Sequence, residues 1–261
     1  MCAVSGAGYH LFDAHFHIID PHFPLVPNRG YLPNPFTCTD YLESTNVFGL
    51  RVTGGAVVSG SFQKFDQSYL LDALQRLGPN FVGVTQLPVT VSDAEIMRLH
   101  AAGVRAVRFN LYRGGPERLE HMDRLARRVY DLAGWHIELY VDSGDLPALE
   151  PRLATLPKVT IDHLGMTRTG YSALFRLVAG GVKIKATGFG RVRLDVSESL
   201  RDIAAIDPSA LMFGTDLPGT RARRAFKTKD LDLICSTLGE TLARQVLHDN
   251  AAAWYGLTGK E

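Results

Sequence analysis

Short apolar runs alternate with amphipathic segments along almost the whole chain. Eight of these runs are rich in β-branched or other apolar residues and have the length of buried strands. They lie at 11–17, 54–60, 81–86, 104–110, 136–141, 158–163, 182–187 and 210–214. Helical spacing fills most of the intervals between them. Eight strands that alternate with helices in about 250 residues predict an α/β fold, a (β/α)8 TIM barrel that forms a single domain over 1–261.

The helices are marked by end signals as well as by apolar spacing. Ser92 and Glu95 form a capping box for a helix that runs to Gly103. Glycines also end two other helical patterns. Further helices are expected at 66–77, 117–133, 146–153, 171–179 and 199–206, with two or three more after Lys227.

The longest irregular stretch runs from Asp20 to Pro35. A long loop after the first strand lies on the catalytic face of such a barrel, so it is expected to act as a lid or a substrate-binding loop. A doubly wound fold is the weaker alternative, because no glycine-rich turn follows the first strand and no GxxxxGK[ST] motif occurs.

Composition and charge exclude several classes of protein. The chain is 46% hydrophobic and 21% charged, with a formal charge of +1, so no general field attracts nucleic acid or an anionic membrane. Cys2, Cys38 and Cys235 are widely spaced and form no CxxC pattern, which predicts reduced thiols without a redox or metal role. Without a leader pattern or an apolar run of about 18 residues, a soluble cytoplasmic protein is expected.

Residues able to perform acid–base or metal chemistry stand at the ends of three predicted strands. His15 and His17 close the first strand, His163 closes the sixth, and Asp216 follows the eighth. Strand residues i and i+2 point to one side, and the first and last strands of a closed barrel are neighbours. An isolated HxH pair is as often accidental as functional, and a lone histidine or aspartate there is more often a cap. Their combination favours a catalytic or metal site.

Taken in order, the motifs resemble the amidohydrolase superfamily, in particular the amidohydrolase-related branch that contains 2-pyrone-4,6-dicarboxylate lactonases. The resemblance covers essentially the whole chain. It is carried by Asp13–His17, Gly103–Asn110, Asp162–Gly165, Lys183–Gly188, Gly214–Pro218 and Asp249–Gly256. It implies a barrel hydrolase that opens a lactone or similar cyclic ester bearing a carboxylate.

The resemblance also implies residue roles. Lactonases of this branch use an aspartate at the position of Asp216 as general base, and they work without a divalent ion. The three histidines His15, His17 and His163 are expected to polarise the ring carbonyl and stabilise the oxyanion, with help from Tyr140.

The fifth strand bears on the need for a metal. Ile137 and Leu139 form its outer face, so Glu138 and Tyr140 point inward, while His136 begins the strand and is expected to be structural. Metal-dependent relatives usually carry a histidine where Tyr140 stands, and a neutral phenol is a poor ligand for Zn²⁺. A site without a cofactor is favoured. The alternative is one divalent metal, Zn²⁺, held by His15, His17, His163 and Asp216.

Several basic and polar residues predict a small anionic substrate. On the fourth strand Arg108 and Asn110 share one face, and the others lie on the seventh strand or on loops after strands. Guanidinium groups match the geometry of carboxylates. The expected substrate-binding residues are Arg29, Tyr31, Arg108, Asn110, Lys185, Arg191 and Arg221.

Two departures from the lactonase pattern leave the exact substrate open. Met166 stands where the lactonases have an arginine, and Gly219 stands where they have a histidine. The alternatives are a metal-dependent amidohydrolase, a decarboxylase of an unsaturated or aromatic acid, and a non-catalytic small-molecule-binding barrel. Nothing in the sequence predicts the oligomeric state.

Overall fold

The computed structural model describes residues 10–257, which form one eight-stranded parallel sheet with its strands in chain order. Each predicted strand overlaps one observed strand, and helices lie between the strands, so the predicted (β/α)8 barrel is confirmed. The strands are β1 (His10–Phe16), β2 (Arg51–Val58), β3 (Phe81–Thr85), β4 (Val104–Asn110), β5 (His136–Tyr140), β6 (Val159–Ile161), β7 (Lys183–Thr187) and β8 (Leu211–Gly214).

The helices surround the strands and bury their apolar faces against them. α5 and α6 have the predicted bounds. α4 begins five residues later than expected, because residues 117–121 form a loop and a short 3₁₀ turn. The helices are α1 (Cys38–Val47), α2 (Ser68–Leu77), α3 (Asp93–Ala101), α4 (Met122–Ala133), α5 (Leu146–Leu153), α6 (Tyr171–Ala179), α7 (Val196–Ile206), α8 (Lys229–Leu238), α9 (Glu240–Arg244) and α10 (Asn250–Trp254).

Helix α1 has no counterpart among the specific helix predictions. Its second half contains Ser44, Thr45 and Asn46, which have low helix propensity. The helix begins with a capping box, in which Thr37 and Asp40 form a reciprocal pair of hydrogen bonds. The helix is stabilised by tertiary packing, because the Tyr41 ring stacks on Phe16 of β1 at 3.8 Å between centroids.

The barrel closes where the segment after β8 meets β1. The amide of Asp216 donates to the carbonyl of His15 at 2.7 Å, and the amide of His17 donates to that of Leu217 at 2.8 Å. A Cβ atom on Gly214 would lie 2.5 Å from the His15 amide nitrogen, so only glycine allows this approach. We call residues 13–17 together with residues 214–217 the β8–β1 seam.

No helix within residues 10–257 is long and apolar enough to cross a membrane. The cytoplasmic location stays a prediction. Cys38 and Cys235 are both buried, and Cys2 lies outside the described residues.

Candidate active site

A β-bulge at the end of β1 aims two histidines into the barrel. From Asp13 to Phe16 strand β1 advances three residues, while its partner β2 advances two, from Gly55 to Val57. The extra residue changes the face on which side chains lie. His15 points inward, whereas Asp13 faces α1 on the outer side.

The two imidazoles face one carboxylate. Nε2 of His17 lies 3.6 Å from Oδ1 of Asp216, and Nε2 of His15 lies 3.9 Å from the same oxygen. Nδ1 of His17 lies 2.7 Å from the carbonyl oxygen of Val58, which can only accept. The proton of a neutral His17 is therefore on Nδ1, and the Nε2 lone pair faces Asp216.

His15 is held from below by two acidic residues. Its Nδ1 lies 3.4 Å from Oδ1 of Asp162 and 3.7 Å from Oε1 of Glu138. Burial lowers the pKa of His15 well below its usual value, although the charge of Asp162 opposes this shift. His15 is neutral at neutral pH, with Nδ1 facing carboxylates and Nε2 facing Asp216.

Two residues of the site have strained backbones. His163 has φ of 52° and Asp216 has φ of 59°, in the left-handed region that non-glycine residues rarely adopt. Strain of this kind is concentrated at functional sites. Gly188 packs between them, since its Cβ would lie 2.7 Å from Nδ1 of His163 and 3.0 Å from Oδ2 of Asp216.

Asp216 has one occupied and one open oxygen. Arg191 donates to Oδ2 through Nε at 2.8 Å and also through Nη2. Among the described residues, Oδ1 is buried and accepts no hydrogen bond. Burial alone would raise the pKa of Asp216, but the charge of Arg191 and then contact with His17 hold it well below its usual range. Asp216 is therefore ionised, with Oδ1 available as an acceptor.

A layer of buried charges lies under these groups. Arg108 donates to Oδ2 of Asp162 through Nη2 at 2.7 Å and through Nε at 3.2 Å. Lys185 pairs with Oε2 of Glu138, and both side chains are completely buried. Burial and then the charge of Asp162 raise the pKa of Glu138 to about 7.

The open cleft above this layer is lined by most of the predicted site residues. Of these, His17, Tyr31, Arg108, Asn110, Tyr140, His163, Arg191 and Arg221 line its wall. His15 and Asp216 are buried and lie beside His17 of this wall. The lining of the cleft is completed by Gly60, Ser61, Phe62, Arg113 and Thr220.

Two expected substrate-binding residues are not brought to the cleft. Lys185 is 0% exposed, because its ammonium group is bound to Glu138 in the barrel interior. Arg29 occupies an exposed tight turn with φ of 50°, in which Asn28 and Tyr31 pair through their backbones. This turn directs Tyr31 to the cleft and places the Arg29 side chain beside Gly114.

Three residues of the site were missed by the sequence interpretation. Asp162 directly follows β6 and stands two residues after Thr160, whose side chain points into the barrel, so strand alternation could have identified it. Asp13 precedes the HxH pair, but two of its three partner residues, Tyr41 and Thr215, come from distant segments. Arg113 follows β4 in a loop, where no periodicity indicates its direction.

A comparison with protein families agrees with this geometry. The family model described as Amidohydrolase matches residues 12–257, which include every strand of the barrel except the start of β1. The chain belongs to the amidohydrolase family. The resemblance identified from the motifs is thereby confirmed.

Individual relatives of this amidohydrolase differ in how much of it they match. The 2-pyrone-4,6-dicarboxylate hydrolase of Comamonas testosteroni is 32% identical over 151 residues, which are 54% of this chain and 47% of that protein. The 4-sulfomuconolactone hydrolase of Hydrogenophaga intermedia is 24% identical over 274 aligned positions, covering 95% of this chain and 89% of that protein. A crystal structure of a protein from Agrobacterium tumefaciens, 22% identical, has the same fold with a TM-score of 0.85, covering 97% and 98% of the two chains.

The donor atoms of this amidohydrolase could hold a metal ion. His15, His17 and Asp216 offer ligand atoms within 4.8 Å of one another, and His15, Asp162 and His163 offer a second such set. In the first set, two imidazole lone pairs and a carboxylate oxygen face each other, so the space between them suits a hydrogen-bond donor or a cation. Their Nδ1 atoms contact a carbonyl and a carboxylate, as those of metal-bound histidines do. The first set therefore fits either a hydrogen-bond donor or one divalent ion.

Proposed function

We propose that this amidohydrolase opens a lactone ring that carries an anionic group, with Asp216 as the general base. The observation that carries the proposal is the buried, unpartnered Oδ1 of Asp216 beside His15 and His17. An ionised carboxylate oxygen without a donor is suited to accept a proton from a water molecule. Two relatives support the reaction class, since both are named as hydrolases, one of a pyrone dicarboxylate and one of a sulfomuconolactone.

The reaction starts with a water molecule hydrogen-bonded to Oδ1 of Asp216. Asp216 takes one proton from this water, and the water oxygen forms a bond to the ring carbonyl carbon. The ring C–O bond then breaks, and the proton goes to the departing ring oxygen. The product is an open-chain hydroxy acid. His17, 3.6 Å from Asp216, is placed to carry the proton between these positions.

In this proposal Tyr140 and His163 stabilise the oxyanion. The Tyr140 hydroxyl oxygen accepts a hydrogen bond from Nη1 of Arg191 at 3.3 Å, so its own proton is free to be donated into the cleft. Nδ1 of His163 has no hydrogen-bond partner among the described residues. Donors that are already oriented stabilise developing negative charge at little reorganisation cost.

Two arginines at the mouth of the cleft support an anionic substrate. Arg113 and Arg221 line the cleft, and neither forms a salt bridge within residues 10–257. The guanidinium of Arg221 lies 4.3 Å above the Tyr31 ring. An anionic group bound here can also share Arg191, which weakens the hold of Arg191 on Asp216 and makes Asp216 a better base.

The proposal includes activity without a divalent metal. Each buried acid below the cleft already has a cationic partner, so a metal would compete with Arg191 for Asp216. Tyr140, in place of an imidazole, removes one candidate ligand. If a divalent ion were bound, His15, His17 and Asp216 would hold it, and it would polarise the ring carbonyl.

The test combines metal analysis with a substrate panel. The purified protein is treated with a chelator, its metal content is measured, and hydrolysis of carboxylated and sulfonated lactones is followed by proton release. We expect hydrolysis that survives chelation and does not rise with added Zn²⁺. Methyl esters of the same lactones are the matched neutral controls. An inactive apoprotein that recovers with one equivalent of metal refutes the metal-free mechanism, and binding without turnover of any lactone refutes the enzymatic function.

A further inference from the structure

A buried carboxylate lies outside the barrel, on the opposite side of β1 from the cleft. Asp13 is 0% exposed and accepts four hydrogen bonds. Oδ1 accepts from the amides of Thr215 at 2.8 Å and His15 at 3.3 Å. Oδ2 accepts from the hydroxyls of Thr215 at 2.6 Å and Tyr41 at 3.1 Å. The mechanism proposed above makes no use of this group.

All but one of these bonds fall on the β8–β1 seam, beside the catalytic residues. Thr215 directly precedes Asp216, and its hydroxyl also accepts from the amide of Leu217 at 3.2 Å. Asp13 therefore binds the Thr215 amide, just before Asp216, directly. Through the Thr215 hydroxyl it also fixes the Leu217 amide, just after Asp216. It holds the amide of His15 with the same carboxylate.

The seam determines how far the base lies from the imidazoles. His15 and His17 come from β1, whereas Asp216 comes from the segment after β8, so their spacing is set across the seam. The backbone of Asp216 is in the left-handed region, with φ of 59°. A strained conformation persists only where the surroundings impose it. Asp13 supplies side-chain bonds at this place in addition to the backbone bonds of the seam.

We infer that Asp13 is a positioning residue that sets the distance between Asp216 and the imidazoles of His15 and His17. It acts through Thr215 and the His15 amide and touches no substrate. The inference rests on the proposed function only where it predicts turnover. The spacing itself is a structural quantity, and it is measurable whatever reaction the enzyme performs.

The experiment compares Asp13→Asn with Leu125→Ala. Asn keeps the shape of Asp13, but its amide group replaces one acceptor oxygen by a donor. Leu125 is buried in α4, away from the seam, and its truncation is the control for lost stability. We expect Asp13→Asn to lower kcat at least about tenfold with KM unchanged within about twofold, because small misplacements of catalytic groups reduce turnover steeply. Leu125→Ala should lower the melting temperature while kcat stays within about twofold of the wild type.

A crystal structure of Asp13→Asn supplies the readout independent of activity. We expect the separation of Asp216 Oδ1 from His17 Nε2, 3.6 Å in the wild type, to change by about 0.5 Å or more. An unchanged separation overturns the inference, and so does a loss of kcat no greater than that of an equally destabilised Leu125→Ala. If the wild type hydrolyses no lactone, the proposed function fails while the structural comparison still tests Asp13.

Two further variants keep the inference testable if Asp13→Asn does not fold. Tyr41→Phe removes the donor that does not belong to the seam, and Thr215→Val removes a donor that does. We expect Thr215→Val to reduce kcat at least about fivefold more than Tyr41→Phe, because only Thr215 is joined to Asp216. Equal effects of the two variants would show that Asp13 contributes general stability alone, which overturns the inference.

Discussion

The two halves of the barrel interior differ in chemistry. The half lined mainly by β1–β3 and β8 is filled with apolar side chains, and Tyr255 after α10 stacks on Phe12 at 5.7 Å. The half lined by β4–β7 contains two buried ion pairs, Arg108 with Asp162 and Lys185 with Glu138. The apolar side chains are Phe12, Ala14, Ala56, Val58, Val82, Val84, Ala106 and Met212. The polar ones include Arg108, Glu138, Thr160, Asp162, Lys185 and Thr187.

This difference separates stability from function within one core. Apolar side chains in the first half stabilise the barrel by removing surface from water. Buried ion pairs in the second half contribute little net stability, because desolvation offsets their attraction. Their acidic members Asp162 and Glu138 lie against Nδ1 of His15, whereas burial keeps His15 neutral and the charge of Arg191 keeps Asp216 ionised. The polar half therefore supports the site from below.

The largest effect is expected from Asp216→Asn. The variant lacks the base, so turnover should fall at least about 10²-fold. It also leaves the buried charge of Arg191 without its partner, which should lower the free energy of unfolding by about 3 kcal/mol. Steady-state kinetics and urea unfolding measure the two quantities. Val84→Ala in the apolar half is the control, and it should lose stability while retaining kcat. Normal turnover in Asp216→Asn would exclude Asp216 as base.

The pair of Glu138 and Lys185 tests whether a buried ion pair in the polar half contributes little net stability to the fold. Glu138→Gln leaves the Lys185 ammonium buried without a negative partner, so we expect the free energy of unfolding to fall by about 3–5 kcal/mol. Glu138→Leu combined with Lys185→Met should recover most of that loss, since an apolar pair needs no compensation. Both are measured by urea unfolding. A double variant as unstable as Glu138→Gln would show that the ion pair itself stabilises the barrel.

The free energy of unfolding should depend on pH through His163 in the polar half, whereas the apolar half has no such dependence to lose. Burial, followed by the charge of Arg191, lowers the pKa of His163 from 6.5 to about 3. Between these values the unfolded chain binds the extra proton, so His163 contributes stability that is lost as pH falls below 6.5. From pH 7 to pH 5 this loss amounts to about 2 kcal/mol.

The variant His163→Asn should therefore lose about 2 kcal/mol less than the wild type over this range. Urea unfolding at pH 7 and pH 5 provides the measurement. Val84→Ala should show the same pH dependence as the wild type, because no ionisable group is changed. Parallel pH dependences for His163→Asn and the wild type would mean that His163 is not held neutral by the fold.

The smallest effect is expected at the mouth of the cleft. Arg221→Met removes a guanidinium that is bound to no carboxylate of the described chain, so it should raise KM for an anionic lactone about tenfold. KM for the neutral methyl ester should stay unchanged. Initial rates measured over a range of concentrations of each substrate give the two KM values. An equal rise for both would point to a displaced Tyr31, whose ring packs under Arg221.

Much of the site was accessible from the sequence, because strand ends and strand parity can be read locally. His15, His17, His163 and Asp216 were expected to converge, and the structure brings them together. Their catalytic roles stay predictions. The expectation for Lys185 was misplaced, since alternation indicates an inward direction but not the depth at which a side chain meets its partner.

The order of strands and helices and the candidate acid–base residues followed from the sequence alone, because apolar periodicity and strand-end positions are local properties of the chain. Only the tertiary structure decided which charges pair. Arg191 meets Asp216, and Asp13 meets Thr215 across 202 positions of sequence. These contacts depend on the bulge in β1, on the closure of the barrel and on burial. Such effects arise between distant segments, and no local pattern of residues encodes their distances.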